Sequence, residues 1–176
     1  MKLKTMVLAA MFLAVGLILP SLTGSIKEIG DSLLPMHLVV MLCGAICGWK
    51  YGLSVGLILP FLRSVTFGMP PIYPNAVWMA AELATYGAVI GIIYAKSKTP
   101  KKPRVFIALV CAMIAGRIVW GITKAALLGI AGKTFGIQAF IVGGFLDAIP
   151  GLILQFILIP AILLIFDKQI GSYAAE

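Results

Sequence analysis

The chain has 176 residues, 61% of them hydrophobic and only 11% charged, with a mean hydropathy of +1.10 and a net charge of +8. Soluble domains carry about 25% charged residues, so this is the composition of an integral membrane protein. It leaves no room for a separate soluble catalytic module, and in such a chain the positive charge reports membrane topology rather than a nucleic-acid partner.

The N-terminus, MKLKTMVLAAMFLAVGLILP, has the basic-then-apolar order of a signal peptide. No small-residue cleavage site follows cleanly and further apolar runs do, so it reads as a retained first span. A span needs about 20 apolar residues. Six candidates emerge, at roughly 4–21, 33–48, 51–67, 75–95, 104–129 and 139–166. They predict an all-α membrane protein, a single six-helix bundle over 1–176. The connections are SIKEIGD, WK, GMPPIYP, KSKTPKKP and GKTFGIQ.

Basic residues are unevenly shared between the two sides. Lys2, Lys4, Lys50, Lys96, Lys98, Lys101, Lys102, Arg104 and Lys168 fall on one side, Lys27 and Lys133 on the other. By the positive-inside rule both termini are cytoplasmic. The loops SIKEIGD, GMPPIYP and GKTFGIQ then face out.

Several polar groups lie within the spans, where a charge at the bilayer centre costs at least ~2.5–3.5 kcal/mol. His37 and Arg63 sit near the outer ends of spans two and three. In span four Asn75, Trp78, Glu82 and Tyr86 fall on one helical stripe, and in span five Arg117, Trp120 and Lys124 do the same. In span six Asp147, Gly151 and Gln155 are spaced by one turn each. At 1.5 Å per residue, Glu82 lies roughly 10 Å, and Asp147 about 12 Å, below the outer surface. Nearly all these groups lie in the outer half, with Gln155 deeper, as expected of a solute pocket open to the outside. Aromatic faces beside a few fixed polar groups line such pockets. The competing reading is that Glu82 pairs with Arg117 or Lys124 and only locks two helices together. On the pocket reading, Glu82→Gln, Arg117→Ala and Trp120→Ala weaken ligand binding without unfolding the bundle.

Other patterns carry no chemistry. GLSVG at 52–56 matches G-x-S-x-G but lies at the start of a membrane helix, not in a strand–turn–helix elbow. With GAICG at 44–48 and GAVIG at 87–91 it reads instead as G-x-x-x-G, which lets helices approach closely. There is no H-E-x-x-H and no Walker A motif, and no enzyme activity is expected. Cys43, Cys47 and Cys111 lack zinc-site spacing and read as packing residues.

Taken together, these features resemble the substrate-binding S component of energy-coupling factor (ECF) vitamin transporters. The likeness covers essentially the whole chain. It rests on the size, six spans with both termini inside, and A-x-x-x-A at Ala10 and Ala14 in span one. It also rests on SLTGSIKEIGDSLLP, PMHLVVMLCGAICGWKYG, AAELATYGAVIG and PGLILQFILIP. The resemblance implies capture of a water-soluble vitamin from outside, in a bacterial cell membrane, under a closing first outer loop. Ala10 and Ala14 would dock against a transmembrane T component, and two cytoplasmic ATPase subunits would use ATP. The chain itself would need no cofactor and no metal. The residues expected to line the pocket are His37, Arg63, Asn75, Trp78, Glu82, Tyr86, Arg117, Trp120, Lys124, Asp147 and Gln155. The embedded ionisable groups sum to about +1, which favours an anionic solute such as pantothenate. Pyridoxine, a hydroxymethyl-pyrimidine or folate would also suit the aromatic residues. Two rival classes remain on the sequence: a gradient-driven secondary transporter of a small solute, and a membrane enzyme acting on lipid. The second would need an acid/base cluster on the cytoplasmic side, where the chain shows none.

Overall fold

A computed structural model describes residues 3–23, 34–96 and 101–165, and every regular element among them is helical. The helices are α1 (Leu3–Thr23), α2 (Pro35–Cys47), α3 (Trp49–Phe67), α4 (Val77–Lys96), α5 (Lys101–Ile130), α6 (Ile137–Ile141) and α7 (Ile149–Ile165). A wide turn, Ile72–Ala76, leads into α4, and a second, Val142–Leu146, follows α6. The chain is thus an all-α membrane protein. The loop SIKEIGD and the basic residues Lys2, Lys27, Lys98 and Lys168 lie outside the described residues.

Each predicted span contains helix, but the elements are less uniform than six equal crossings. Among the described residues three segments are long and apolar enough to cross a membrane: Leu3–Leu22, Ile72–Ala95 and Pro103–Ile130. The sixth predicted span is broken, with Ile137–Leu146 and Ile149–Ile165 bent by 42°. At 13 residues, α2 extends only about 20 Å, short of the ~30 Å hydrocarbon layer. Burial accounts for this. Every residue of α2 except Ile46 is buried, and the helix packs against α1, α3, α4 and α7. Its ends therefore meet protein rather than lipid.

Two connections also differ from their predicted places. Trp49 and Lys50 are not a loop but the first turn of α3. The break before them is Gly48 alone, at φ 93°, a left-handed conformation that glycine adopts without steric cost. Lys101 and Lys102 belong to α5 rather than to the preceding connection, because Pro103 in its first turn is compatible with a helix start.

Small residues set the closest helix contacts. A Cβ on Gly87 would meet the carbonyl of Gly52, and one on Gly56 would meet the backbone at Leu83. The backbones of α3 and α4 therefore touch, as the two G-x-x-x-G patterns in these helices predict. Cys43 and Cys47 are buried in the core, whereas Cys111 lies exposed on α5 and does not pack inside. By contrast α1 stays largely uncovered. Val7, Met11, Val15, Ile18 and Leu22 are exposed along one face, with exposed Ala10 and Ala14 among them.

Candidate functional site

The polar stripes of α4 and α5 face each other. Because the helices are antiparallel, Glu82 meets Arg117, and Trp78, one turn earlier in α4, meets Lys124, two turns later in α5. Arg117 Nη1 donates to Glu82 Oε1 at 3.0 Å. On the other side of the carboxylate, His37 Nε2 from α2 lies 3.4 Å from Oε2. That is close enough for electrostatic pairing but outside hydrogen-bond geometry, and both ring nitrogens lack a hydrogen bond among the described residues. The His37 ring meets Tyr86 edge-on at 5.3 Å. Glu82, His37, Arg117 and Tyr86 are all nearly inaccessible, at 2%, 2%, 4% and 1% exposure. Glu82 is thus a buried anion held by a buried cation, with an imidazole at its second oxygen. Such a pair offsets the high cost of desolvating each charge alone.

Further out, Lys124 sits among aromatic rings. Its Nζ lies 4.5 Å from the Trp120 ring centre and 5.2 Å from those of Trp78 and Phe135. The face of an aromatic ring carries the negative lobe of its quadrupole, so three faces around one ammonium partly replace its water. Trp120 also packs on Phe135 and Phe140.

A cavity of about 500 Å³ opens at the end of the bundle where α1 and α3 finish and α2 and α4 begin. Pro20, Leu34, His37, Arg63, Asn75 and Met79 are among its lining residues. Its shape is set from both sides. Arg63 Nη1 donates to the Leu17 carbonyl at 2.5 Å and to Ser21 Oγ at 3.3 Å, tying α3 to α1. The buried Ser64 hydroxyl donates to the Pro70 carbonyl and folds the turn after α3 back over the end of the bundle. His37 joins the two parts of the site, since it lines the cavity and also faces Glu82.

The structure therefore gathers most of the predicted site residues at one end of the molecule, in two groups. His37, Arg63 and Asn75 line the cavity. Glu82, Tyr86, Arg117 and Trp120 form the buried group behind it, with the half-buried Trp78 and Lys124 beside them. Two residues come from the sixth predicted span. Gln155 is buried on α7, its amide nitrogen without a hydrogen-bond partner among the described residues. Asp147 is exposed, at the break between the wide turn and α7, with its charge within electrostatic reach of Lys124. The predicted stripe of Asp147, Gly151 and Gln155 assumed one continuous helix, and the bend of 42° rotates Asp147 away from the other two. Sequence reasoning missed Leu34, Met79, Phe135 and Phe140. Phe135 lies in the non-helical stretch after α5, where no helical period could have marked it, and Phe140 lies in the short helix α6 that follows.

Among the described residues no cluster of three or more His, Cys, Asp or Glu could hold a metal ion. No curated protein and no solved structure matches this chain. A family model, described as the ECF transporter substrate-specific component, matches residues 4–164. That match spans nearly the whole chain, including every helix that builds the cavity and the Glu82 group, and the chain belongs to the substrate-specific components of ECF transporters.

Proposed function

We propose that this chain captures a water-soluble vitamin or vitamin precursor from outside the cell, in the cavity lined by His37, Arg63 and Asn75. The observation that carries this reading is the cavity itself. At about 500 Å³ it lies within the ~300–1,000 Å³ of ordinary small-molecule sites, and it pairs apolar walls with three hydrogen-bonding side chains. The charge balance favours an anionic or acceptor-rich solute such as pantothenate. Arg63 lines the cavity, while Glu82 is engaged by Arg117 and offers no open negative charge there.

The same reading has six crossings, with both termini in the cytoplasm. In support, Lys4, Lys50 and Arg104 stand at the first turns of α1, α3 and α5, the opposite end from the cavity. The exposed apolar face of α1 is where a transmembrane T component would dock, with two ATPase subunits beneath supplying the energy. Its small residues, Ala10 and Ala14, would let a partner helix approach closely.

The purified chain, tested for thermal stabilisation against a panel of water-soluble vitamins and precursors, should respond to one of them. A solute at 100 times its dissociation constant adds about 2.7 kcal/mol, well within reach of a melting measurement. Silence across the panel would sink the vitamin reading. Ala10→Trp should leave that stabilisation intact and abolish uptake in cells carrying the partner subunits. Unchanged uptake would remove α1 from the docking surface.

A further inference from the structure

Arg63 belongs to two places at once. It lines the cavity, and its Nη1 is also held on α1, donating to the Leu17 carbonyl at 2.5 Å and to Ser21 Oγ at 3.3 Å. Between those two acceptors lies Pro20, inside the helix. A proline has no N–H, so it cannot bond the carbonyl four residues back, and its ring crowds that carbonyl. Helices bend at such points. Arg63 therefore bridges the place where α1 is least able to hold itself, with one acceptor before the proline and one after it.

The two sides of the proline are held differently. Before it, Gly16 lies against α3: a Cβ there would meet the side chain of Leu59, which is fully buried. After it, Ser21 and Leu22 are exposed, so the last turn has little burial to hold it. Leu59 and Arg63 are four residues apart, about one turn along α3. The helices α1 and α3 thus meet through a buried apolar contact and, a turn further along, through a polar one. Pro20 and the half-buried Arg63 stand at that polar contact, and both line the cavity.

We propose that Arg63 is a clamp across the Pro20 bend, and that an anionic group on the solute draws the guanidinium off α1 and frees the last turn of that helix. This rests on the cavity being the solute site. The direction follows from the relative strengths of the acceptors. The Leu17 carbonyl and the Ser21 hydroxyl are neutral. A carboxylate makes charge-assisted bonds about twice as strong, and it can take two guanidinium N–H groups at once. The guanidinium is a rigid plane, so turning it toward a carboxylate in the cavity moves Nη1 as well. The freed turn belongs to the helix whose apolar face is uncovered, so occupancy of the cavity is carried to α1. Arg63 is then a positioning residue for α1 as well as a cavity residue.

Hydrogen–deuterium exchange of the purified full chain in detergent, read at the amides of Ser21 and Leu22, tests the clamp without any solute. Arg63→Gln should speed exchange there at least about tenfold. Ser21→Ala, which removes one of the two acceptors, should do so to a smaller degree. Adding Pro20→Ala to Arg63→Gln should restore much of the protection, because the helix regains the bond that the proline withholds. General unfolding would instead raise exchange along the whole chain and would not be reversed by Pro20→Ala. Exchange in Arg63→Gln equal to that of the parent would overturn the clamp. The second arm adds pantothenate, or its alcohol pantothenol, to the parent chain, with binding of each read separately by melting. Bound pantothenate should speed exchange at Ser21 and Leu22, and pantothenol should not. Equal acceleration by both would overturn the role given to the carboxylate. Bound pantothenate with unchanged exchange would overturn the coupling and leave the cavity reading standing, and binding of neutral solutes alone would do the same. If no member of the vitamin panel binds, the cavity reading falls and the coupling with it, while the first arm still decides the clamp.

Discussion

Glu82→Gln should lower the melting temperature of the purified protein sharply, and not only its affinity for solute. The sequence alone supports a milder expectation, loss of binding in an intact bundle. The geometry changes that. Arg117 is 4% exposed, and its Nε and Nη2 have no hydrogen-bond partner among the described residues, so the Glu82 carboxylate carries most of its compensation. A neutral amide in that place leaves a guanidinium buried without a counter-charge. Removing one member of a buried pair typically costs about 3–5 kcal/mol. Arg117→Gln should be comparably damaging, since it leaves the carboxylate beside His37 and Tyr86 without its guanidinium. The double variant Glu82→Gln/Arg117→Gln removes both charges and should recover much of the loss, because no unpaired charge is then left buried. The three melting temperatures form a double-mutant cycle. A coupling near zero, with both single variants as stable as the parent, would mean that the pair does not hold α4 to α5. Solute affinity must then be compared at a temperature where each variant is folded, so that binding and stability are not confused.

The facing stripes of α4 and α5 were legible in the sequence because helical periodicity is local. Successive spacings of three, four and four residues place Asn75, Trp78, Glu82 and Tyr86 on one face whatever the tertiary fold, and the cost of charge in lipid turns that face inward. The sequence also marked Gly52, Gly56 and Gly87 as contact points, because a stripe of small residues is useful only where another backbone comes near. Three features were not legible. The pairing of Glu82 with Arg117 rather than Lys124 depends on the axial register of two helices, which no single helix encodes. The outward turn of Asp147 follows from the bend after Leu146, and the Gly143–Gly144 pair before it was compatible with either a straight or a broken helix. The cavity is built largely from helix ends and from the Met69–Pro71 turn, where periodicity lapses and the placement of each side chain is set by its neighbours. The family match names the kind of component but not the solute.

Gly87→Val should be strongly damaging, and it tests the packing of α3 against α4. A Cβ at this position meets the backbone of Gly52 on α3 rather than a side chain that could rotate away. The helices must therefore separate, and with them the two elements that carry Arg63 and Glu82. Overpacking of a close-packed interior costs about 1–3 kcal/mol and occasionally more, and an obstacle made of backbone belongs at the upper end. Gly129→Ala supplies the contrast. This residue also lies in a helix, but a Cβ there meets nothing within 4 Å. Its replacement should be neutral or mildly stabilising, since alanine is favoured over glycine in a helix by about 1 kcal/mol. Gly87→Ala, one methyl group in the same chemical terms, should have the opposite sign. The comparison removes the intrinsic preference for alanine and leaves only the α3–α4 contact. If the two alanine variants melt together, the helices are not in backbone contact at Gly52 and Gly87. If Gly87→Ala melts well below the parent while Gly129→Ala does not, the backbone contact between Gly52 and Gly87 holds α3 against α4.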